Sequence, residues 1–299
     1  MPADRALGID LGGTQIKAVL VDRSGAVLRR EARPTYDTGE DSTSWAQTIR
    51  ALLGELGAEL PVGLAAPGIP ARDRRSIAFL PQRLKGLEML DWTTFLGRST
   101  CVPVTNDAHA SLLGETWTGA ARGLSNAVML TLGTGVGGAI LADGRILRGH
   151  LGRAGHLGHT SLEMHGAPSI VGVPGALECF IGDYSVRERT CGRFGSTHEL
   201  IAASRTGDEQ ARKLWLHSVR ALACAIASFI NILDPEAVII GGGVAQAGDA
   251  LFHPLAEELE ELEWRPTGAG VRLVPAALGE WSGAIGAARE ALLAPDSSE

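Results

Sequence analysis

The feature that most constrains this chain is a glycine turn between two apolar segments near its start. The segment Gly8–Lys17 reads Gly-Ile-Asp-Leu-Gly-Gly-Thr-Gln-Ile-Lys, and a second apolar run, Ala18–Val21, follows it. This pattern predicts a β-hairpin with a tip made of backbone. Glycines at such a tip let a bulky anion approach main-chain N–H groups, and a nearby acid suits a divalent cation. The turn therefore indicates either a phosphate site or an ordinary hairpin capped by Asp10.

Two further glycine turns narrow this choice. The segment Leu130–Leu141 again reads strand, Gly-Thr-Gly turn, strand, and Val238–Val244 runs from an apolar strand into three glycines. In order, the three motifs resemble the first phosphate, second phosphate and adenosine motifs of the actin-like sugar kinases. They are most similar to those of the ROK group of repressors and sugar kinases, and the resemblance spans nearly the whole chain.

The resemblance implies an α/β protein with the two-lobed actin-like ATPase (ribonuclease H-like) fold and a cleft between the lobes. Two strand-rich starts, at Ala6 and Asn126, each precede alternating helices and strands, as two related lobes would. We expect a small N-terminal lobe over residues 1–106 and a larger one over residues 107–281. The predicted helix Ser282–Leu293 is expected to cross back to the first lobe.

Periodicity and turn residues predict the remaining elements. The stretch Asp208–Leu233 predicts a helix long enough to need burial, whereas residues 69–91 lack periodicity and predict an irregular loop. Shorter predicted elements are the strands Ala6–Leu11, Ile16–Asp22, Ala26–Arg33, Val62–Ala66, Cys101–Thr105, Asn126–Leu132, Val136–Ala142, Ala237–Ile240 and Val271–Pro275, and the helices Trp45–Leu60, Ala108–Thr118 and Glu199–Ala203.

The resemblance assigns nucleotide-binding roles to the three glycine turns. The residues concerned are Asp10, Gly12, Gly13, Thr14, Lys17, Thr134, Gly135, Gly242 and Gly243. Asp10 is expected to hold Mg²⁺ beside the phosphates, because this cation prefers oxygen ligands and keeps part of its water shell. The expected cofactors are therefore ATP and Mg²⁺.

Asn106 and Asp107 follow the predicted strand Cys101–Thr105, at the end where open α/β sheets bind ligands. Asp107 also precedes a predicted helix, so its carboxylate is either a helix cap or, as the resemblance implies, the catalytic general base. In the family, a turn such as the one at Gly68 borders the sugar, although an ordinary strand-ending turn explains it equally well. Gly68, Asn106 and Asp107 are thus candidate substrate-binding residues.

The stretch that carries a structural zinc in the family differs here. Family members usually have Gly-Glu-x-Gly-His followed by three cysteines, and the His and the cysteines bind the metal. This chain has Gly-His-Leu-Gly-His ending at His159, and the cysteine positions are Ser169, Val171 and Ala176. Val and Ala cannot ligate a metal, and one His with a Ser cannot replace four N/S ligands. We therefore predict that the protein lacks zinc.

His156, His159 and Glu178 remain as candidate sugar contacts. An ionised Glu178 can accept hydrogen bonds from two sugar hydroxyls, although an acid at a helix start needs no ligand. His159 is either a donor to a hydroxyl or a structural histidine. His156 replaces the family's Glu, so one donor and one acceptor stand where two acceptors stood. We expect the pocket to recognise a different hydroxyl pattern, or to hold the same sugar less tightly.

Taken together, the resemblance implies an ATP-dependent hexose kinase, similar to glucokinases, that acts on the 6-hydroxyl with Asp107 as general base. The alternatives are a kinase for a fructose-type or N-acyl hexosamine sugar, a non-catalytic sugar-binding regulator, a polyphosphate-dependent kinase and an NAD-dependent enzyme. Regulators of the family carry an N-terminal DNA-binding extension, whereas here the phosphate hairpin begins by residue 7. The three glycines at 241–243 do not form Gly-x-Gly-x-x-Gly, because position 246 is Gln.

Composition sets the remaining expectations. The 299 residues suit one large or two modest domains, and a net charge of −7 disfavours a nucleic-acid or polyphosphate surface. The first residues lack the features of a signal peptide, and no apolar run approaches the roughly 20 residues that span a bilayer. Four scattered cysteines indicate free thiols in a reducing compartment. We expect a cytoplasmic homodimer with no nucleic-acid or membrane partner.

Overall fold

The computed structural model describes residues 3–36, 44–80 and 83–294, and the chain divides into two units. Unit 1 comprises Met1–Gly123, Arg148–Ala154 and Ala277–Glu299, and unit 2 comprises Leu124–Leu147 and Gly155–Ala276. The strands are β1 (Arg5–Leu11), β2 (Gln15–Asp22), β3 (Val27–Pro34), β4 (Val62–Ala66), β5 (Ile69–Pro70), β6 (Ile77–Phe79), β7 (Val104–Asn106), β8 (Ala127–Leu132), β9 (Val136–Ala142), β10 (Arg145–Ile146), β11 (Ala237–Gly241) and β12 (Arg272–Pro275). The α-helices are α1 (Ser44–Leu56), α2 (Trp92–Phe95), α3 (Asp107–Thr118), α4 (Leu177–Ile181), α5 (Val186–Arg189), α6 (Thr197–Arg205), α7 (Glu209–Leu233), α8 (Asp249–Leu262) and α9 (Ser282–Leu293).

Unit 1 is built on a five-stranded sheet with the order β3-β2-β1-β4-β7. β1, β2 and β3 form an antiparallel meander, whereas β4 runs parallel to β1 and β7 runs parallel to β4. Parallel strands end at the same edge of a sheet, and ligands of open α/β sheets bind there. The carboxyl ends of β1, β4 and β7, which carry Asp10, Gly68 and Asn106, therefore meet at one edge.

Both faces of this sheet are covered. On one face Leu7 and Ile9 of β1 pack with Trp45 and Ile49 of α1 in a large apolar cluster. On the other face the small residues of α9, such as Ala284, pack on the strands, and α3 lies against α9. Because α3 packs on α9, the observed division follows Gly123, whereas the predicted boundary lay near Asn106. α9 belongs to the same unit as the N-terminal sheet.

Unit 2 repeats the plan of unit 1 with the sheet order β10-β9-β8-β11-β12. β8, β9 and β10 form an antiparallel meander, and β11 runs parallel to both β8 and β12. The long helix α7 supplies Trp215, Val219, Leu222 and Ile226 to the core cluster of this unit. The expected need for its burial is thus confirmed.

The length and composition of α7 alone would let it cross a membrane, since an 18-residue window in it has a mean hydropathy of 1.6. The prediction that no apolar run approaches the roughly 20 residues that span a bilayer therefore does not hold for α7. The apolar side of α7 nevertheless packs in the core of unit 2, and 44% of that window is buried. Core helices of globular proteins commonly pass the same test, so the hydropathy of α7 is weak support for a membrane span.

The remaining element predictions differ from the structure mainly at their ends. The region 69–91 contains the short antiparallel pair β5–β6, in contrast to the irregular loop predicted there. β7 pairs with β4 over Val104–Asn106, whereas the strand was predicted over Cys101–Thr105. Asp41, Ser42 and Thr43 are typical cap residues before the predicted helix Trp45–Leu60, but they lie outside the described residues. All four cysteines carry free thiols, as predicted.

Candidate active site residues in the two units

The first phosphate turn is held in place by the end of β3. The N–H of Gly12 donates to the carbonyl of Gln15 over 2.9 Å, which closes the turn. Thr35, which is fully buried, donates its hydroxyl to the carbonyl of Gly12 at 2.7 Å and its N–H to Thr14 at 3.0 Å. These contacts fix the backbone of the tip at Gly12, Gly13 and Thr14, and a fixed glycine turn of this kind can present main-chain N–H groups to an anion.

Sequence reasoning did not identify Arg83 as part of this turn. A Cβ on Gly13 would overlap the guanidinium of Arg83, so this cation lies directly against the turn. Arginine presents a planar fork of donors that suits phosphate oxygens. No motif marks Arg83 in the sequence, because it follows an irregular segment and no pattern relates it to a turn 70 residues earlier.

Asp10 sits one residue before the end of β1, opposite Lys17 in the antiparallel ladder. The Lys17 ammonium forms an ion pair with Glu280 at 3.1 Å. The first turn of α9 approaches Asp10 so closely that a Cβ on Gly283 would lie 2.6 Å from Oδ2 of the carboxylate. Only glycine leaves room for the acid at this position.

This environment raises the pKa of Asp10 from 3.8 to about 7. Burial of the carboxyl group is the main cause, the negative charge of Asp107 adds to it, and Lys17 opposes it. Asp10 and Asp107 therefore interact electrostatically within unit 1. A divalent cation would relieve this repulsion, and a carboxylate is the ligand type that Mg²⁺ prefers. The donor chemistry of Asp10 thus fits the predicted Mg²⁺.

Asn106 organises the end of β7. Its side-chain oxygen caps α3 by accepting the N–H groups of Ala108 at 3.0 Å and His109 at 3.2 Å. Its side-chain nitrogen donates to the carbonyl of Gly68 at 3.1 Å, which ties the end of β4 to the start of α3. Because Asn106 is the N-cap, α3 does not depend on Asp107 for that role, although Oδ1 of Asp107 also accepts the N–H of Ala108 at 2.8 Å.

Unit 2 holds a cavity of about 430 Å³ at the second and third glycine turns. Thr134 and Gly243, two of the predicted nucleotide-binding residues, line this cavity, and Gly135 and Gly242 adjoin them in the chain. Gly242 has a φ of +87°, and a Cβ there would overlap the carbonyl of Leu132, so only glycine fits where β11 meets the β8 turn. The volume falls within the range of ordinary small-ligand pockets.

The far wall of this cavity was not anticipated from the sequence. It is formed by Asp183, by α6 with the residue before it, and by residues that follow Gly243; its polar members are Asp183, Ser196, Thr197, His198, Arg205 and Gln246. The N–H of Thr197 donates to Oδ1 of Asp183 at 2.6 Å, which fixes the start of α6. The sequence does contain a signal for the start of α6, since Ser196 and Glu199 have the spacing of a capping box. In the structure, the hydroxyl of Ser196 accepts the N–H of Glu199 at 3.2 Å.

The candidate sugar contacts of unit 2 lie together. Nδ1 of His159 is 3.4 Å from Oε1 of Glu178, and the rings of His156 and His159 are 6.0 Å apart. Glu178 is only 3% exposed, and its Oε2 lies beneath the second phosphate turn, 3.1 Å from the position a Cβ would take on Gly135. Nδ1 and Oε1 are both buried, and neither forms a hydrogen bond within the described part of the chain. Buried polar atoms normally have partners, so a polar ligand fits here.

The loop that carries zinc in the family does not present metal ligands here. The hydroxyl of Ser169 and the side chains of Val171 and Ala176 stand at the three cysteine positions, and Ala176 is fully buried. Among the described residues, no group of three or more His, Cys, Asp or Glu side chains is arranged to hold a metal ion. This donor set does not fit zinc. Mg²⁺ needs no such cluster, because it is commonly bound by one or two carboxylates together with substrate phosphates.

Comparison with known proteins identifies the family of this chain. The ROK family profile matches residues 6–294. The glucokinase of Thermotoga maritima is 34% identical, over 96% of this chain and 97% of that protein. The N-acetylmannosamine kinase of Escherichia fergusonii is 32% identical over 81% and 84%. A ROK family glucokinase from Streptomyces griseus, solved with glucose and AMPPNP, superposes with a TM-score of 0.78 at 27% identity over 96% and 98%.

The chain therefore belongs to the ROK family. The predicted fold class is confirmed by the two sheets and by the similar structures. The prediction of an ATP-dependent carbohydrate kinase is confirmed at the level of that class by the curated relatives and by the structure solved with an ATP analogue.

Proposed function

We propose that the protein transfers the γ-phosphoryl group of ATP to a hexose, with the 6-hydroxyl as acceptor and Asp107 as general base. The observation that carries the proposal is the pairing of two acids at one sheet edge. Asp107 follows the cap residue Asn106 at the end of β7, and its charge helps to raise the pKa of Asp10. Two acids that repel each other at the ligand-binding edge of a sheet are typical of an active site.

In this mechanism, Asp107 accepts the proton of the sugar hydroxyl as its oxygen attacks the γ-phosphorus. The bond between the γ-phosphorus and the β–γ bridging oxygen breaks, and ADP leaves. Asp10 would hold the Mg²⁺ that neutralises charge on the β- and γ-phosphates. The main-chain N–H groups of the glycine turns and the guanidinium of Arg83 would orient the phosphates. Catalysis in such a site is mostly positioning and charge stabilisation.

Unit 2 would supply the nucleotide pocket and part of the sugar recognition. The cavity at Thr134 and Gly243 suits an adenosine group in size, and its polar wall at the start of α6 can bind the base and ribose. Nδ1 of His159 and Oε1 of Glu178 lie 3.4 Å apart without a hydrogen bond, and they suit the donor and acceptor of a sugar hydroxyl. A sugar there would restore hydrogen bonds that the protein alone leaves unmade.

The decisive experiment is replacement of the proposed base. Asp107→Asn keeps the shape of the side chain and removes the proton acceptor, so kcat should fall about 10²- to 10⁴-fold while ATP still binds. The matched control is Asp143→Asn, the same chemical change in the β9–β10 turn at a φ of +50°, which asparagine tolerates well. Near-normal kcat in Asp107→Asn at saturating Mg²⁺ would rule out the assignment.

The sugar is best identified by measuring ADP release over a panel of hexoses, ketoses and N-acyl hexosamines. If His156 contacts the sugar, one donor and one acceptor replace the two acceptors of the family's Glu. The preferred substrate should then differ from glucose, or glucose should show a raised KM. A glucose KM and kcat/KM like those of a family member with Glu at this position would mean that His156 does not face the sugar.

A further inference from the structure

A second cavity lies wholly within unit 1, apart from the candidate active site. It encloses about 380 Å³ between the β5–β6 region, β7, α3 and residues 148–152. None of Asp10, Gly68, Asn106 and Asp107 lines it. It is also distinct from the nucleotide cavity, whose lining residues all belong to unit 2. The proposed kinase activity therefore makes no use of it.

The lining of this cavity is cationic. It includes three arginines and two histidines but no carboxylate among its described lining residues; the basic members are Arg72, Arg74, Arg148, His109 and His150. This concentration of positive charge contrasts with a net charge of −7 for the whole chain. A local excess of one sign in a concave site attracts ligands of the opposite sign.

A single buried acid offsets part of this charge. Glu290 of α9 is 7% exposed, and its two carboxylate oxygens are divided between two arginines. Oε1 accepts from Arg148 at 2.6 Å, and Oε2 accepts from Arg74. Counting Arg72, the cluster keeps two positive charges beyond the one that Glu290 neutralises, which matches the charge of about −2 on a phosphate monoester near pH 7.

The backbone places Arg74 at a conformational cost. Its φ is +59°, a left-handed conformation that is unfavourable for a side chain of this size. The surrounding structure enforces it, because the N–H of Arg74 donates to Ala71 at 2.9 Å and its carbonyl accepts the N–H of Val104 at 2.7 Å. Strain of this kind tends to persist where a side chain must point in a particular direction.

The charged form of Arg148 is destabilised by its surroundings. Burial lowers its pKa, the neighbouring charge of Arg74 lowers it further, and Glu290 only partly compensates. The loop that carries it is packed closely on β5, since a Cβ on Gly152 would lie 3.2 Å from Ile69 and 3.4 Å from the carbonyl of Pro70. The cationic groups thus lie on a wall that close packing holds in place, and an anion would relieve their mutual repulsion.

We propose that this cavity binds a phosphate group, either as inorganic phosphate or as the phosphate of a small sugar monoester. Guanidinium groups pair with phosphate oxygens in a bidentate manner, and Arg72, Arg74 and Arg148 supply several such donors. The volume suits a ligand of up to about the size of a hexose phosphate, and the apolar wall at Pro70 and Leu151 leaves room for its uncharged part.

The test is isothermal titration calorimetry on the full chain, with AMPPNP, Mg²⁺ and the best hexose acceptor present to saturate the active site. Inorganic phosphate and a hexose 6-phosphate are titrated separately. We expect saturable 1:1 binding of at least one of them. Arg148→Gln should weaken it about 10- to 100-fold, because a charge-assisted hydrogen bond is lost. Arg72→Gln, which changes an exposed residue and leaves the Glu290 pairs intact, should weaken it several-fold.

Arg75→Gln is the matched control. Arg75 belongs to the same segment as Arg72 and Arg74, but it pairs with Asp91 and does not line the cavity, so its loss should leave the affinity unchanged. A melting curve for each variant separates loss of binding from loss of folding.

The two ligands distinguish the source of the phosphate. If only inorganic phosphate binds, the proposal is supported and the ligand is free phosphate. If the hexose 6-phosphate binds, the proposal is supported and the ligand is a sugar phosphate. Absence of saturable binding of both, or affinities equal in the wild type and in Arg72→Gln and Arg148→Gln, would overturn the proposal. These measurements report binding and not turnover. Their outcome therefore does not decide whether the protein has the proposed kinase activity.

Discussion

Asp10 is held where its charged form is unfavourable, and this has a measurable consequence for stability. Its pKa is raised from 3.8 to about 7, so the folded protein retains a proton that the unfolded chain releases near pH 4. Between about pH 4 and pH 7 the folded state therefore loses stability as pH rises, by up to about 4 kcal/mol for a shift of this size. Asp10→Asn removes this loss. The difference in free energy of unfolding between this variant and the wild type should therefore grow in favour of the variant from about pH 4 to pH 8.

Urea unfolding at pH 5 and pH 8 measures this effect. The control is Asp22→Asn, because hydrogen bonds from Ser24 and its neighbours lower the pKa of Asp22, the opposite direction. That variant should gain no stability as pH rises. The affinity for Mg²⁺ in the presence of ATP should also increase through about pH 7, when Asp10 ionises. A pH-independent difference between Asp10→Asn and wild type would show that Asp10 titrates normally.

At this scale, sequence motifs located residues whose spacing is local. Asp10, Asn106 and Asp107 each stand at the end of a recognisable strand, and their placement at one sheet edge follows from the parallel topology. The cationic cavity could not be predicted in this way. Its shared acid, Glu290, lies 216 and 142 residues from the two arginines that it pairs with, and no local pattern connects such positions.

At the scale of elements, the contact between α3 and α9 sets the position of the proposed base. Gly286 of α9 packs so closely on α3 that a Cβ there would overlap the carbonyl of Ala110 and lie 2.9 Å from the N–H of Gly114. Gly286→Ala should therefore force the helices apart at a cost of about 1–3 kcal/mol, or more where neither helix can shift. Because Asp107 begins α3, kcat should fall together with the melting temperature.

The chain offers a matched control for this change. Gly54 is also inside a helix, on the exposed side of α1, and a Cβ there would meet no atom within 4 Å. Gly54→Ala should stabilise the protein by about 0.5–1 kcal/mol, because glycine is the poorer helix former, and kcat should be unchanged. Thermal melts and kcat of both variants check the prediction. Equal stabilisation by both substitutions would contradict the close packing of α3 on α9.

Element types were largely predictable from the sequence, but several positions depended on tertiary packing. The helix Ser282–Leu293 was located from its composition, and its bounds agree with the structure. In contrast, the unit boundary could not be predicted from the sequence, because α3 follows β7 in the chain but is assigned to unit 1 by its packing on α9. The short pair β5–β6 escaped prediction because two or three residues carry no periodicity.

At the scale of the whole molecule, the chain uses one sheet plan twice, and each copy carries a different set of the proposed site residues. Both sheets join an antiparallel meander to two parallel strands in the same order. In unit 1 this plan positions the acids Asp10 and Asp107, whereas in unit 2 it positions Glu178 and the cavity at Thr134 and Gly243, which we propose to bind the nucleotide. The family relationship thus agrees with a repeated architecture that the two strand-rich starts had already indicated.

Backbone hydrogen bonds hold the loop that carries zinc in other members of the family. The loop is closed by its own backbone, since the N–H of Ser169 donates to Val173 at 2.8 Å and the N–H of Gly172 donates to Ser169 at 2.8 Å. Further hydrogen bonds join Gly175 to Ala167 at 2.9 Å and Leu162 to Gly175 at 2.8 Å. These bonds hold the loop's shape, so folding should not require a metal there.

A strong zinc chelator should therefore leave the melting temperature and the kinase activity unchanged, once Mg²⁺ is supplied in excess. Elemental analysis of active, chelator-treated protein should find no stoichiometric zinc. The matched variant restores cysteine at three positions, Ser169→Cys, Val171→Cys and Ala176→Cys, and with His159 should gain zinc and a chelator-sensitive melting curve. Stoichiometric zinc in the wild type, or unfolding of the wild type by the chelator, would show that other ligands have taken over the metal.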